Sequence, residues 1–226
     1  MNASDTTPQS ESETPPRWRR RSDARPGEIV EAALELFVTK GFTATRMDEI
    51  ARAAGVTKGT LYLYFPSKED LFRAVVHETV VPRLEMGERL VAGHTGPAAD
   101  LLRALVHAWW EKIGDSRLSY MAKLMTAESA NFPELTRYYV EEVVLRARRI
   151  FASALRRGIE SGEFRGDLPL HDAARLVLAP LVQGAAYRHS MLAFDPEPLE
   201  MTTYLDLHMD IFLRGIAKTA ETETDA

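Results

Sequence analysis

The sequence predicts an all-α protein in which an N-terminal helix-turn-helix domain of three helices joins a C-terminal helical bundle, about nine helices in total. Apolar residues recur three and four positions apart along most of the chain, which is the period of a helix with one buried face. Glycines, prolines and capping residues interrupt the pattern where helices are expected to end. No alternating run of β-branched residues reaches the length of a strand, so no sheet is expected.

Composition limits the chemistry and the compartment. The 226 residues include no cysteine, which excludes disulfides and thiolate nucleophiles. The first 28 residues contain no apolar run of the kind found in secretory signals, and the longest uncharged stretch, between Arg175 and Arg188, has twelve residues. A bilayer-spanning helix needs about 20 residues. We therefore predict a cytoplasmic protein without membrane contact.

Four segments are predicted along the chain. Residues 1–24 are predicted to form a disordered, partly basic arm, because residues 1–16 are rich in Ser, Thr and Pro and residues 17–21 are RWRRR. Residues 25–72 form the small helical domain, residues 73–218 form the bundle, and residues 219–226 form a disordered tail. The basic run is either a solvated tail or an arm that reaches nucleic-acid phosphates or a minor groove.

The first two predicted helices are short and well delimited. An apolar stripe at positions i, i+3, i+4, i+7 and i+8 marks the first: Ile29, Ala32, Ala33, Leu36 and Phe37. Gly41 then takes the position of a C-terminal cap. The second helix is predicted to begin after Thr45 as N-cap, with Asp48 completing an acidic variant of the capping box, and to end at Gly55.

A third helix begins almost immediately after the second. Thr57 is predicted to be its N-cap, and Pro66 ends it, because a residue that precedes proline is driven out of the α region. Ser67 then caps a fourth helix. Two helices joined by so short a turn predict a helix-turn-helix over residues 45–65, whose second helix enters the major groove of DNA.

The first turn of the third helix has residue types that suit contacts with DNA. Thr57 and the free N–H groups beside it suit a phosphate oxygen. Gly59 weakens the helix by about 1 kcal/mol relative to alanine, a cost that makes sense if the backbone must approach the groove closely. Lys58 and Thr60 are placed to reach base edges.

Three residues further along are predicted to hold the flanking phosphates. They are Tyr62, Tyr64 and Lys68, which carry hydroxyl and ammonium donors. For the two tyrosines the alternative is that they complete the small core of the domain.

The segment 29–72 resembles the DNA-binding domain of the TetR/AcrR family of bacterial transcriptional repressors. Three motifs carry the resemblance: G-F-x-x-T from Gly41, D-E-I-A-x-x-A-G-V from Asp48, and K-G-T-L-Y-x-Y-F-x-S-K-E from Lys58. The resemblance implies a homodimer on a palindromic operator, with an effector pocket in the C-terminal bundle. Arg46 departs from the family pattern, and together with Thr45 it completes the set of predicted DNA contacts.

Helices are predicted for the remainder near 67–92, 97–114, 116–130, 133–162, 169–193 and 197–218. Pro82 lies inside the first of these and is expected to kink or break it. The last two are apolar around much of their circumference, so each must be buried on two sides. Packing against a second copy of the chain would achieve this, and the alternative is that both are core helices of a monomer.

A small, largely apolar effector is expected to bind among aromatic and methionine side chains of the bundle, with a few polar anchors. Each candidate also suits an ordinary core or surface position. The predicted ligand-binding residues are Trp109, Trp110, Met121, Met125, Phe132, Tyr138, Gln183, Tyr187 and His189.

Signs of catalysis are missing from the sequence. It contains no nucleophile elbow, phosphate-binding loop or H-E-x-x-H pattern. Asp206, His208 and Asp210 are two residues apart, so on a helix they point to different faces and do not predict a metal site. We expect no enzyme, metal or cofactor, but a repressor that a small molecule releases from DNA. The alternatives are a constitutive DNA-binding protein without effector and a helical ligand carrier or enzyme.

Overall fold

Nine helices make up the part of the chain that the structure describes. The computed structural model describes the backbone of residues 17–218 and the side chains of residues 26–218. The predicted disordered segments 1–16 and 219–226 lie outside the described residues. The helices are α1 (Arg17–Lys40), α2 (Met47–Ala53), α3 (Lys58–Tyr64), α4 (68–93), α5 (98–114), α6 (Tyr120–Glu128), α7 (133–160), α8 (Leu170–Arg188) and α9 (Met201–Ile216). Residues 17–218 contain no strand, only an isolated bridge between Phe164 and Ala217, and the predicted all-α class is confirmed.

The first helix begins earlier than predicted. Residues 17–24 were expected to belong to a disordered arm, yet α1 starts at Arg17 and contains Pro26. Arginine and alanine are among the better helix formers, and no glycine or proline interrupts residues 17–25. The basic run is therefore the first part of α1.

Three of the helices contain one π-helical segment each. These segments are Val76–Val80 in α4, Trp110–Gly114 in α5 and Val140–Val144 in α7. The segment in α4 lies directly before Pro82, which has no N–H to donate to the preceding turn. Because a π turn changes the register of these hydrogen bonds, the helix continues to Gly93. Of the two predicted outcomes, a kink or a break at Pro82, the break does not occur.

The loop between α8 and α9 is longer than predicted. Helix α8 ends at Arg188 instead of 193, and the ammonium of Lys123 donates a hydrogen bond of 2.6 Å to the carbonyl of His189 just beyond its end. Helix α9 starts at Met201 instead of 197, because the carboxylate of Glu200 caps it by accepting the N–H groups of the next residues. The contact of Lys123 with the end of α8 spans 66 residues and leaves no periodic signal in the sequence.

Aromatic side chains hold the N-terminal domain together. Phe37, Phe42 and Phe72 are fully buried, and the ring of Phe42 lies 5.3 Å from that of Phe37 and 5.6 Å from that of Phe72. Ile50 from α2 and Leu61 from α3 are fully buried against them. Each such side chain contributes about 1.5–3 kcal/mol on burial. This shared core fixes α2 and α3 relative to α1 and α4.

The C-terminal bundle is organised around α7, which packs against α4, α5 and α8. Its inner face buries Ile150, Phe151 and Leu155. Among the described residues, no helix is both long enough and apolar enough to cross a membrane.

Several contacts besides the shared helix α4 join the domains, among them ion pairs of Arg117 with Glu31 and Glu35 of α1. Phe132, which precedes α7, packs edge-to-face on Phe42 with ring centroids 4.8 Å apart. The carboxylate of Glu128, at the end of α6, accepts hydrogen bonds from the N–H of Thr43 at 3.1 Å and from its hydroxyl at 2.8 Å. The loop between α1 and α2 is therefore fastened directly to the bundle.

Candidate nucleic-acid interface and ligand cavity

The local signals of the sequence mark the ends of α1 and α2 and the starts of α3 and α4 as predicted, whereas α2 starts after Arg46, with Glu49 at N3, instead of after Thr45 with Asp48. Gly41 and Gly55 adopt φ angles of +84° and +65° after α1 and α2, in the left-handed region that favours glycine. The hydroxyl oxygen of Thr57 caps α3 by accepting the N–H of Thr60 at 3.1 Å. Helix α3 ends before Pro66, and the predicted caps of α3 and α4 are both confirmed.

One face of α3 is open to solvent. Lys58 and Tyr62 lie one turn apart on it, as do Gly59 and Leu63. Leu63 is 79% exposed, and a Cβ placed on Gly59 would meet no atom nearer than the hydroxyl of Thr57, at 3.9 Å. Nothing inside the protein therefore requires glycine at this position. The sequence did not single out Leu63, although its position one turn after Gly59 would have identified it, and an exposed leucine suits a thymine methyl group.

Polar groups around this face differ in how far they are exposed. The ammonium of Lys58 lies 2.9 Å from the carboxylate of Asp48, whose hydrogen bond raises the pKa of Lys58. Exposed pairs of this kind contribute little to stability, so the lysine can exchange this partner for DNA. Tyr62 is exposed, whereas Tyr64 is half-buried and packs against the core. The core alternative therefore describes Tyr64 better than Tyr62.

Thr45 does not have the role that the sequence predicts. It is 1% exposed, and its hydroxyl lies 2.7 Å from the carbonyl oxygen of Gly41 and 3.1 Å from that of Leu36. Arg46, an exposed residue, occupies the N-cap position of α2, and its N–H donates to the carboxylate of Glu49 at 3.3 Å. The hydroxyl of Thr45 satisfies carbonyl groups at the C-terminus of α1.

Lys68 also points into the protein. Its ammonium donates to the carbonyls of Phe42 at 2.7 Å, Thr45 at 3.0 Å and Thr43 at 3.3 Å, all in the loop between α1 and α2. An ammonium group has three N–H donors, so these carbonyls use all of them. Burial lowers the pKa of Lys68. The structure therefore corrects the predicted phosphate contact to a brace of the loop.

A cavity of about 630 Å³ lies in the bundle among α4, α5, α6, α7 and α8. Its wall is mostly apolar and includes Leu84, Trp109, Met125 and Val143. Volume and lining are both typical of sites for small organic ligands. The buried Tyr139 also lines it, and burial raises the pKa of its hydroxyl, so this group remains neutral.

Two cationic side chains line the same cavity. Arg175 on α8 is exposed and pairs with Asp172 at 2.9 Å. Arg148 on α7 is half-buried and has no hydrogen bond or ion pair to any side chain within residues 26–218. Removing a charge from water is costly unless a partner replaces the water. Arg148 therefore favours an anionic group in the cavity, and nothing in the sequence distinguishes it from the other arginines of α7.

The predicted ligand-binding residues are divided between the cavity and other places. Trp109 and Met125 line the cavity. Met121 is fully buried in the core of the bundle instead. His189 lies behind the wall, 2.6 Å from the hydroxyl of Ser119, and only the serine lines the cavity.

The other five predicted residues face elsewhere. Phe132 contacts Phe42 in the N-terminal domain, and the hydroxyl of Tyr138 donates to the carbonyl of Arg73 on α4. Trp110 and Tyr187 line a separate cavity of about 290 Å³ beside the loop between α8 and α9. Gln183 is exposed and lies outside both cavities. Residue type alone does not reveal which face of a helix borders an empty space, and this explains the corrections.

Helices α8 and α9 leave large apolar side chains exposed on the single chain. The exposed fractions range from 42% to 64% for Leu176, Val182, Leu207 and Ile211. Asp206, one of the residues considered for a metal, pairs with His107 at 3.0 Å. Among the described residues, no three His, Cys, Asp or Glu side chains are grouped closely enough to hold a metal ion.

A helix-turn-helix joined to a helical bundle with a ligand-sized cavity defines the class of DNA-binding transcriptional regulators. Residues 29–75 match the family model described as "Bacterial regulatory proteins, tetR family". Residues 93–201 match the model described as "Tetracyclin repressor-like, C-terminal domain". The chain belongs to the TetR family of transcriptional regulators.

Several characterised and uncharacterised proteins are similar over most of the chain. The uncharacterized HTH-type transcriptional regulator YfiR of Bacillus subtilis is 27% identical over 84% of this chain and 90% of its own. The fatty acid metabolism regulator protein of the same organism is 27% identical over 68% of this chain and 78% of its own. The solved structure of the ketosteroid transcriptional regulator KstR2 of Mycobacterium tuberculosis is 26% identical, with a TM-score of 0.64 over 86% of this chain and 96% of that one.

Proposed function

We propose that the protein is a homodimeric repressor that binds a palindromic operator and is released by an elongated apolar molecule with an anionic end. The observation that carries this proposal is the cavity of about 630 Å³ with the unpaired, half-buried Arg148 in its wall. A carboxylate is a natural partner for this guanidinium, because the two groups form charge-assisted hydrogen bonds. The apolar wall would then hold the rest of the ligand.

The size of the cavity suits a long-chain fatty acid. An engineered cavity of about 150 Å³ holds one benzene molecule, or about 25 Å³ per carbon atom. At that density, 630 Å³ corresponds to about 25 non-hydrogen atoms. The names of two similar proteins, a fatty acid metabolism regulator and a ketosteroid transcriptional regulator, support an apolar ligand of this size.

The DNA contacts are assigned to the exposed face of α3 and its surroundings. Lys58 and Thr60 read base edges, and the bare backbone at Gly59 allows close approach to the groove. Leu63 contacts a thymine methyl group, and Tyr62 holds a phosphate. Further phosphate contacts are assigned to Arg46, Thr57 and, where its packing allows, Tyr64. We assign residues 25–72 to DNA binding and 73–218 to ligand binding and dimerisation, with α4 shared between them, and we place the protein in the cytoplasm with its DNA.

Dimerisation through α8 and α9 is supported by their exposed apolar side chains. Burying them against the same surface of a second copy gives a four-helix, isologous interface, the usual arrangement in a twofold dimer. Two copies of α3 would then read the two halves of a palindrome about one helical turn of DNA apart.

The test is a titration of operator DNA, obtained by selecting duplexes from a random pool, with oleate as the ligand. Fluorescence anisotropy should show that oleate weakens operator binding by about 5- to 150-fold, the usual range of allosteric coupling. Arg148→Met should bind the operator normally but respond to oleate at least tenfold more weakly. Arg156→Met is the matched control, because Arg156 is exposed on the same helix and lies outside the cavity.

Three outcomes would contradict parts of the proposal. If neither oleate nor its coenzyme A thioester changes operator affinity, the ligand class is wrong. If Arg148→Met and Arg156→Met respond equally, the assignment of the anionic end is wrong. A monomer in sedimentation that still binds the operator specifically would refute the dimer.

A further inference from the structure

A second cavity lies directly beside the first one. It has a volume of about 220 Å³ and is enclosed by α4, α5 and α7. Its wall is apolar apart from Arg83 and Lys112, which are both exposed. At about 25 Å³ per carbon atom, it has room for about nine carbons. We call the large cavity the first chamber and this one the second chamber.

Four side chains line both chambers and therefore form the wall between them. They are Leu84, Trp109, Ile113 and Ala147. Leu84, Ile113 and Ala147 are buried, with exposed fractions of 3% to 8%, and belong to the continuous core. Trp109 is by far the largest of the four and is only half-buried. The indole of Trp109 is therefore the part of the wall that the core holds least firmly.

We infer that Trp109 determines the length of ligand that the protein accepts, and that this ligand is an unbranched acyl chain. The inference rests on the proposed function, in which the carboxylate binds at Arg148 and the chain fills the first chamber. A chain that is too long meets the indole and cannot enter the apolar space behind it. A compact ring system in the first chamber can touch this wall but is too wide to pass it, so the second chamber affects selectivity only for an extended chain.

The energetic consequence can be stated as a ratio of affinities. Each additional buried methylene contributes about 0.8 kcal/mol, which is about a fourfold gain in affinity. In the wild type this gain should stop at the chain length that reaches Trp109. In Trp109→Ala the gain should continue for several more carbons, so a chain four carbons longer should gain on the order of 100-fold relative to the wild type.

The experiment measures affinities of palmitoleate, oleate, erucate and nervonate for the full-length protein by displacement of a fluorescent fatty acid. Trp109→Phe is the conservative control, since a smaller ring still closes the wall, and it should keep the wild-type length limit. Gly87→Leu is a blocking variant: Gly87 lines only the second chamber, and a Cβ there would meet Ile150 at an ordinary contact distance of 3.4 Å. Combined with Trp109→Ala, it should restore the wild-type limit.

The outcomes distinguish this inference from the proposed function. If Trp109→Ala is folded by circular dichroism and binds the four acids in the wild-type ratio, Trp109 does not set the length. A gain in Trp109→Ala that Gly87→Leu fails to remove would place the extra carbons outside the second chamber and overturn the inference as well. If the wild type binds none of the acids, the proposed ligand class fails, and the inference fails with it. A wild type that binds a steroid acid instead would overturn the acyl-chain assignment alone.

Discussion

Replacing Glu128 by glutamine should loosen the fastening between the two domains. In the structure its carboxylate accepts three hydrogen bonds: from the N–H and hydroxyl of Thr43, at 3.1 Å and 2.8 Å, and from the amide of Asn131 at 3.2 Å. Glu128 is only 9% exposed. The substitution keeps the size of the side chain but removes the charge and turns one acceptor oxygen into an amide donor that faces other donors.

The magnitude follows from these contacts. Hydrogen bonds to charged groups contribute about 1.5–3 kcal/mol each, and an amide oxygen in the position of Oε2 can still accept two of the three, so one bond is lost. We therefore expect Glu128→Gln to lower the free energy of unfolding by about 2–3 kcal/mol. For a chain of this length each kcal/mol corresponds to about 2–4 °C in melting temperature. A fall of about 4–12 °C should appear in a thermal melt followed by circular dichroism.

The effect should depend on pH in a defined direction. Burial alone would raise the pKa of Glu128, but hydrogen bonds from Asn131 and Thr43 outweigh it and leave the pKa below the ordinary glutamate value of 4.5. The ionised form is thus favoured in the folded state. Its contribution is complete above pH 4.5 and is lost as the pH falls through the lower folded pKa. The difference between the wild type and Glu128→Gln should therefore shrink at acid pH.

The matched control is Glu134→Gln, because Glu134 is exposed and, within residues 26–218, pairs only with Arg137 one turn away. Exposed pairs contribute about 0–1 kcal/mol, so this variant should melt close to the wild type. If Glu128→Gln melts together with Glu134→Gln at neutral pH, the carboxylate does not fasten the loop, and the reasoning is refuted. A difference that grows as the pH falls would also contradict the assigned direction of the pKa shift.

Three further variants separate bracing residues from residues that contact DNA. Lys68→Met should lower the melting temperature, because it leaves loop carbonyls without donors, and should not change the slope of log DNA affinity against log salt concentration. A normal melting temperature with a slope lowered by about one would show instead that Lys68 contacts a phosphate. Lys58→Ala should leave the melting temperature unchanged and weaken binding to the operator by about 1–3 kcal/mol, with little change in binding to a random duplex, both measured by anisotropy. Equal losses of affinity for the two DNAs would contradict a contact with base edges. Gly59→Leu should leave the melting temperature unchanged, because the new side chain meets open space in the protein, and should abolish the operator footprint, because it holds the backbone away from the groove. A normal footprint would contradict the close approach of the backbone to DNA.

The sequence predicted those parts of the fold that depend on neighbouring residues. The cap at Thr57, the cap at Ser67 and the left-handed glycines at the helix ends are decided within four residues, so their signals are readable without the fold. Contacts of Lys68 are different, because its three carbonyl partners lie 23 to 26 residues earlier in the chain. A lysine at the start of a helix beside a DNA-reading helix has the same local sequence whether it faces DNA or the protein.

The ligand cavity was predicted less well for a related reason. Trp109 and Trp110 are adjacent and chemically equivalent, yet the first lines the large cavity and the second lines the small one near α8 and α9. A cavity is where helices fail to meet, and its position depends on the packing of all the helices around it. The helical period assigns residues to faces, but it does not identify the face that borders the empty space.

Two helices of the cavity wall, α4 and α6, also form hydrogen bonds with the loop of residues 42–45. Helix α4 contributes Leu84 to the cavity wall and Lys68 to the loop carbonyls, whereas α6 contributes Met125 to the wall and Glu128 to the loop donors. A ligand that moves α4 and α6 apart must therefore stretch one of these two sets of bonds. The set at Glu128 is worth about 2–3 kcal/mol by the estimate for its glutamine variant, and allosteric couplings are typically about 1–3 kcal/mol. Because a ligand shifts an equilibrium only by its differential affinity for the two states, bonds of this strength are firm enough to position α2 and weak enough for a ligand to displace.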